Sequence, residues 1–93
     1  MGMAVASMFG ALALALLSAG TATAAQGTLI VSGTPYSDPS GCYNTEQYPL
    51  RVDNHTDELA IVFSGPECQG AVTATVPPGE RGVFEFGESV YIR

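Results

Sequence analysis

The chain has 93 residues, nine acidic side chains, three arginines, no lysine and a net charge of −6 at pH 7. A chain this short builds one small domain, and scattered Arg51, Arg81 and Arg93 do not form the cationic cluster that binding to a phosphate backbone requires. Its lysine-free composition, rich in Ala, Gly, Val and Thr, is what a high-GC genome encodes and points to an actinomycete source.

The first element is an export signal. Residues Met1 to Ala25 carry no charge, and Phe9 to Leu17 form an apolar run too short to span a bilayer core, which takes about 20 apolar residues. Small residues follow, and Ala22-Thr23-Ala24 fits the A-x-A rule for signal-peptidase cleavage. The expected division is therefore a signal peptide over 1–24 and a single β-domain over 25–93, with Gln26 as the alternative mature start. The basic n-region is missing, and only the α-amino group of Met1 supplies a positive charge there. No cysteine follows the apolar run, which argues against a lipid anchor. Every charged side chain lies after this segment, so the acidity belongs to the mature chain. The expected location is extracellular.

Beyond Ala25 no 3.6-residue period is sustained, whereas short stretches alternate with period two between Gly, Pro, Asn and Asp. The pattern predicts an all-β fold, a small antiparallel sandwich or Greek-key barrel of about five to six short strands. The first expected strand is Thr28 to Ser32, with Leu29 and Val31 on one face. Gly33 to Gln47 reads as one long loop of the kind that is either functional or tied down. Tyr48 to Asp53 is the second strand, Leu50 and Val52 inward, Arg51 and Asp53 outward. Asn54-His55-Thr56-Asp57 reads as a hairpin turn. Glu58 to Ser64 is the strongest strand, with Leu59, Ile61 and Phe63 on one face and Ala60 and Val62 on the other. Ala71 to Val76 is the fourth and ends at Pro77-Pro78-Gly79. Gly82 to Phe86 and Ser89 to Arg93 complete the chain. No sequence repeat is visible.

Cys42 and Cys68 are the only cysteines. An even count in an exported chain predicts a disulfide, and closing a loop of about 25 residues stabilises a small domain by roughly 3–4 kcal/mol. The rivals are a zinc site or a reactive thiol, but two cysteines and the single His55 fall short of four structural ligands.

At Phe63-Ser64-Gly65-Pro66-Glu67-Cys68-Gln69-Gly70 the chain resembles the Greek-key signature of βγ-crystallin-type domains: an aromatic, four variable residues, a second aromatic, any residue, glycine. Phe63 and Gly70 take the first and last places, and Cys68 stands where the second aromatic belongs. Glu88 to Ile92 resembles the closing strand with its serine. The likeness covers Leu59 to Ile92 and lacks the paired Asp/Asn-x-x-Ser/Thr-Ser calcium signature. Small secreted actinomycete proteins of this type include peptidase inhibitors and a killer-toxin-like protein. More loosely, the mature chain resembles short single-disulfide secreted actinomycete proteins.

Several residues invite chemistry. Gly87-Glu88-Ser89 begins like a nucleophile elbow, but Tyr91 replaces the second glycine and the chain is too small for the α/β sheet an elbow needs. His55 has no sequence partner as a base. Asp53, Asn54, Thr56 and Asp57 gather oxygens that suit calcium, although turn chemistry explains them equally. Asn54-His55-Thr56 matches a glycosylation sequon that is coincidental in a bacterial product. Tyr36, Tyr43 and Tyr48 lie in or beside the long loop and form either a recognition surface or a cover over a thin core. Arg81 lies near the tip of the proline-stiffened segment Pro77 to Gly82, a candidate inhibitory loop. The expected function is a secreted, non-enzymatic binding module, inhibitor-like, acting through a disulfide-braced loop surface. Its partner is an extracellular protein or surface ligand, and no cofactor or metal is expected. The alternative is a structural or surface-associated envelope protein that self-associates, although like charge favours a monomer.

Overall fold

The computed structural model describes residues 24–93, so the expected export segment lies, apart from Ala24, outside the described residues. Eight strands run β1 (Gly27–Val31), β2 (Thr34–Ser37), β3 (Gly41–Asn44), β4 (Leu50–Thr56), β5 (Ala60–Phe63), β6 (Val72–Val76), β7 (Arg81–Phe84) and β8 (Ser89–Ile92). They form two antiparallel sheets, ordered β2-β1-β4-β7 and β3-β8-β5-β6. Among the described residues no helix is long and apolar enough to cross a membrane.

Alternation builds the core. Leu29 and Val31 of β1, Leu50 and Val52 of β4, Ala60 and Val62 of β5, Val76 of β6, and Val90 and Ile92 of β8 are all buried. Ala25 joins them, its N–H reaching the carbonyls of Pro39 and Arg93 at 3.1 and 3.3 Å. Successive strand residues face opposite ways, so each strand gives one side to this layer and the other to the outside.

The two halves of the chain share a plan that the sequence does not show. In β1–β4 the fourth strand returns beside the first, the Greek-key relation, while the third crosses to the other sheet and pairs with β8. In β5–β8 the same happens, with β8 beside β5 and β7 crossing to β4. The repeat lies in the pairing, which sequences with different side chains can satisfy equally well.

Three expectations are corrected. Gly33 to Gln47 is not one loop, because it contains β2 and β3, each the edge strand of its sheet. An edge strand has one free side and tolerates Pro35 and the polar composition that looked like a loop. Asn54 and Thr56 are not turn residues but buried ends of β4; the chain turns at Asp57–Leu59, and that turn carries it between sheets instead of closing a hairpin. Arg81 is not at a loop tip but within β7, paired with Asp53. The segment before it is bonded back onto β4, through Gly79 N–H to the Asn54 carbonyl at 2.7 Å and Asn54 N–H to the Glu80 carbonyl at 2.9 Å.

Candidate functional site

The strongest strand turns its larger apolar face outward. Ala60 and Val62 point into the core and are fully buried, while Ile61 and Phe63 are half-buried and Leu59 is 44% exposed. The core that Ala60 and Val62 enter is shared with Leu29, Leu50 and Val52 of the other sheet and with Ile92, the neighbour of Ala60 on β8. An alanine Cβ built at Gly87 would lie 2.7 Å from both a Leu50 methyl and a Val62 methyl, which shows how closely the layers meet.

The outward face of this sheet carries a row across all four strands. Cys42 of β3 opposes Tyr91 of β8, Tyr91 opposes Ile61 of β5, and Ile61 opposes Thr75 of β6. None of the four carries a charge, and Tyr91 is 41% exposed.

Above this row sits a folded turn between β5 and β6. Ser64 N–H reaches the Ala71 carbonyl at 2.8 Å, and Ala71 N–H reaches the Ser64 hydroxyl at 3.0 Å. A short 3₁₀ segment, Pro66–Cys68, lies between them. Glu67 and Cys68 have φ of 60° and 56°, a left-handed conformation that costs a non-glycine residue roughly 1–2 kcal/mol. Gly70, at φ 87°, is a glycine for a second reason, since a Cβ there would meet the Ser64 hydroxyl at 2.6 Å.

The strained turn is held to two strands. Cys68 is bonded to Cys42 of β3, as the cysteine count predicts. Asn44 accepts from Glu67 N–H at 2.8 Å and donates to the Glu67 carboxylate at 2.7 Å. Ser89 of β8 accepts from Cys68 N–H at 2.8 Å and donates to the Gly65 carbonyl at 2.6 Å. Ser89 is wholly buried with its hydroxyl engaged, an arrangement suited to bracing and not to nucleophilic attack. The register slips between Val62 and Phe63, a bulge at the entry to the turn.

The tyrosines and Arg81 do not share one surface. Tyr36, opposite Leu29, faces inward and packs against Tyr43 at 4.3 Å between centroids with the rings tilted by 39°, and both pack on the core. They join the β2 and β3 edges and close one open side of the sandwich. The Tyr43 hydroxyl accepts from Ser40 N–H at 3.0 Å. Tyr48 is 63% exposed, and a cleft of about 210 Å³ beside Tyr36 is lined by Ser32, Thr34, Asn44, Glu46 and Gln47. Arg81 lies on the outer face of the other sheet, in an open groove of about 490 Å³ with Arg51, Asp53 and Val83. His55 and Glu80 line the adjoining groove. Fold-mediated pairing thus gathers Arg51 and Arg81, which the sequence scatters, but Asp53 and Glu80 balance their charge.

The oxygen-rich stretch Asp53 to Asp57 does not converge. Asp53 faces outward, whereas the buried Asn54 accepts from the Thr56 amide and hydroxyl and donates to the Glu58 and Val76 carbonyls. Asp57 accepts from Gln26 N–H at 2.8 Å. The Asn54 amide of the sequon is enclosed by the same network.

Comparison with family models, with curated proteins and with solved structures gives no match. The site is therefore defined by its geometry. Sequence reasoning missed Ile61, Tyr91 and Thr75 as a surface, although one signal was present: β5 is apolar on both faces, and only one face can enter a two-layer core.

Proposed function

We propose that the chain is a secreted, extracellular, non-enzymatic binding module that engages a protein partner through the outer face of the β3-β8-β5-β6 sheet. The observation that carries this reading is the outward placement of Leu59, Ile61 and Tyr91, beside a strained turn, on a chain with net charge −6. An uncharged row containing tyrosine and isoleucine has the composition of an interface centre, where charged residues are depleted and aromatics enriched. The braced turn supplies a rigid wall, which lowers the ordering cost of binding. This is a disulfide-braced surface, with the face of the sheet in place of the loop tyrosines.

A βγ-crystallin-like origin belongs to the same proposal. Its support is the position of the motif residues: Phe63 enters the folded turn, Gly70 leaves it with positive φ, and Ser89 ties it to the last strand. Cys68 replaces the second aromatic and fastens the turn covalently.

The test compares three immobilised proteins, wild type, Ile61→Lys and Arg81→Ala, against supernatant of the producing culture. A protein retained by wild type and Arg81→Ala but lost by Ile61→Lys fits the proposal. Equal retention by all three moves the site elsewhere.

A further inference from the structure

One end of the sandwich holds the cleft of about 210 Å³ between β2 and the loop that follows β3. Its first wall is β2, where Thr34 and Tyr36, two residues apart, face the same way. Its second is Glu46 and Gln47. The floor joins Ser32 to Thr45. The Thr45 hydroxyl donates to the Gln47 carbonyl at 2.6 Å, so it accepts from the Ser32 hydroxyl at 2.7 Å and from Gln47 N–H at 3.2 Å. Ser32 accepts in turn from Arg51 N–H at 3.3 Å. Turn and loop are thereby fixed to each other before any ligand arrives.

Ser32 holds its place against local preference. It and Gly33 are the two loop residues between Val31 and Thr34, with φ of 47° and 89°. Positive φ at both positions marks a type I′ turn, which favours Asn-Gly, Asp-Gly or Gly-Gly. A serine there is strained, and its hydroxyl is what links turn to loop. None of these bonds uses the Thr34 hydroxyl, the Glu46 carboxylate or the Gln47 side-chain amide, which belong to exposed residues lining the cleft. Among the described residues Glu46 alone brings a charge to that lining, so an anion is repelled. An apolar ligand would strand the hydroxyl and amide groups. Hydroxyls and amides both give and take hydrogen bonds, whereas an ammonium only gives. The matching ligand has groups that do both and an apolar C–H face for the Tyr36 ring, which is the chemistry of a sugar.

We infer that this cleft is a saccharide site that seats one pyranose ring, its C–H face toward Tyr36 and its hydroxyls toward Thr34, Glu46 and Gln47. The Glu46 carboxylate accepts from two neighbouring hydroxyls at once, and the Gln47 amide gives one bond and takes another. The volume lies below the about 300–1,000 Å³ of pockets that enclose drug-sized ligands, so the cleft takes a single ring. Binding is accordingly weak, with a dissociation constant on the order of 1 mM. The cleft shares no residue with the row through Ile61 and Tyr91, and the inference does not depend on the binding-face proposal.

The test is an amide-resonance titration of the purified protein to about 50 mM sugar, well above that constant. The probes are glucose, galactose, mannose and N-acetylglucosamine, each free and as its methyl glycoside. At least one should give saturable shifts at Ser32 to Thr34 and Thr45 to Gln47, whereas sorbitol, which has the hydroxyls without the ring, should not. Glu46→Gln and Gln47→Ala change exposed side chains, so each should raise the dissociation constant at least about fivefold while the thermal midpoint stays unchanged. A methyl glycoside that binds as tightly as its free sugar marks the chain end of a polysaccharide as the ligand, and a free sugar that binds alone marks the monosaccharide. Shifts that stay linear for every probe, saturable shifts elsewhere in the protein, sorbitol binding equal to that of the sugars, or unchanged affinity in both variants overturns the inference.

Discussion

At the scale of single residues, the most constrained polar side chain is Asn54. It is wholly buried, yet its carbonyl and both amide hydrogens are used, at 2.6–3.0 Å, by Thr56, Glu58 and Val76. It thereby ties the end of β4 to the turn that changes sheets and to the end of β6. Asn54→Ala leaves several buried groups without partners, at roughly 1–3 kcal/mol each, so urea unfolding should show a loss of about 3 kcal/mol or more. Tyr36 and Tyr43 are a second residue-scale case. In mutual contact and half-buried against the core, they cover the sandwich opening at β2 and β3. Truncating either to alanine should cost about 2–3 kcal/mol, less than the 3–5 of a fully buried ring. Thermal melts should fall by roughly 8–24 °C; an unchanged midpoint would return these rings to a recognition role.

At the scale of elements, the folded turn between β5 and β6 is the part that local preference does not favour. Two consecutive non-glycine residues in left-handed conformation persist because the Cys42–Cys68 bond, Asn44 and Ser89 all grip the same few atoms. Replacing both cysteines with serine should lower stability by about 2–5 kcal/mol, read as a shift of the denaturant midpoint. Hydrogen exchange in that variant should rise first at Gly65–Gln69, where strain is stored, and later in β1 and β4. The same scale explains the missed strands. β2 and β3 have little apolar alternation because each pairs on one side only and offers one half-buried tyrosine to the core, so Thr34-Pro35-Tyr36-Ser37 looks like a turn when read alone.

At the scale of the whole molecule, the disulfide and the small size of the domain belong together, and the proposed export would account for both. A small domain buries about 60% of the surface its unfolded chain exposes, and an oxidising compartment lets a covalent link supplement that thin core. Mass spectrometry of culture supernatant should find a species beginning at Ala25 or Gln26, with no free thiol in non-reducing alkylation. Ala25 is buried in the domain, so of the two starts only the one at Ala25 keeps that core residue. A cell-associated full-length chain would contradict the export proposal.

The sequence by itself determined what is local. Strand patterning between turn residues placed β1, β4, β5, β6, β7 and β8 and the inward side of β1 and β4, because polar neighbours leave one face to bury. Two cysteines in a short chain left one pairing. Only the tertiary structure decided the rest. Whether Ala60 and Val62 or Ile61 and Phe63 face inward is settled only once β5 is paired between β6 and β8, where Val62 joins Val90 and Ala60 joins Ile92 and Val76 in the core. Whether Asn54 ends a strand or makes a turn depends on Val76 and Glu58 carbonyls waiting for its amide. Which strand becomes an edge follows from the exchange of β3 and β7 between sheets. These are long-range choices, made by partners distant along the chain, and a stretch of sequence carries no record of the partner it will meet.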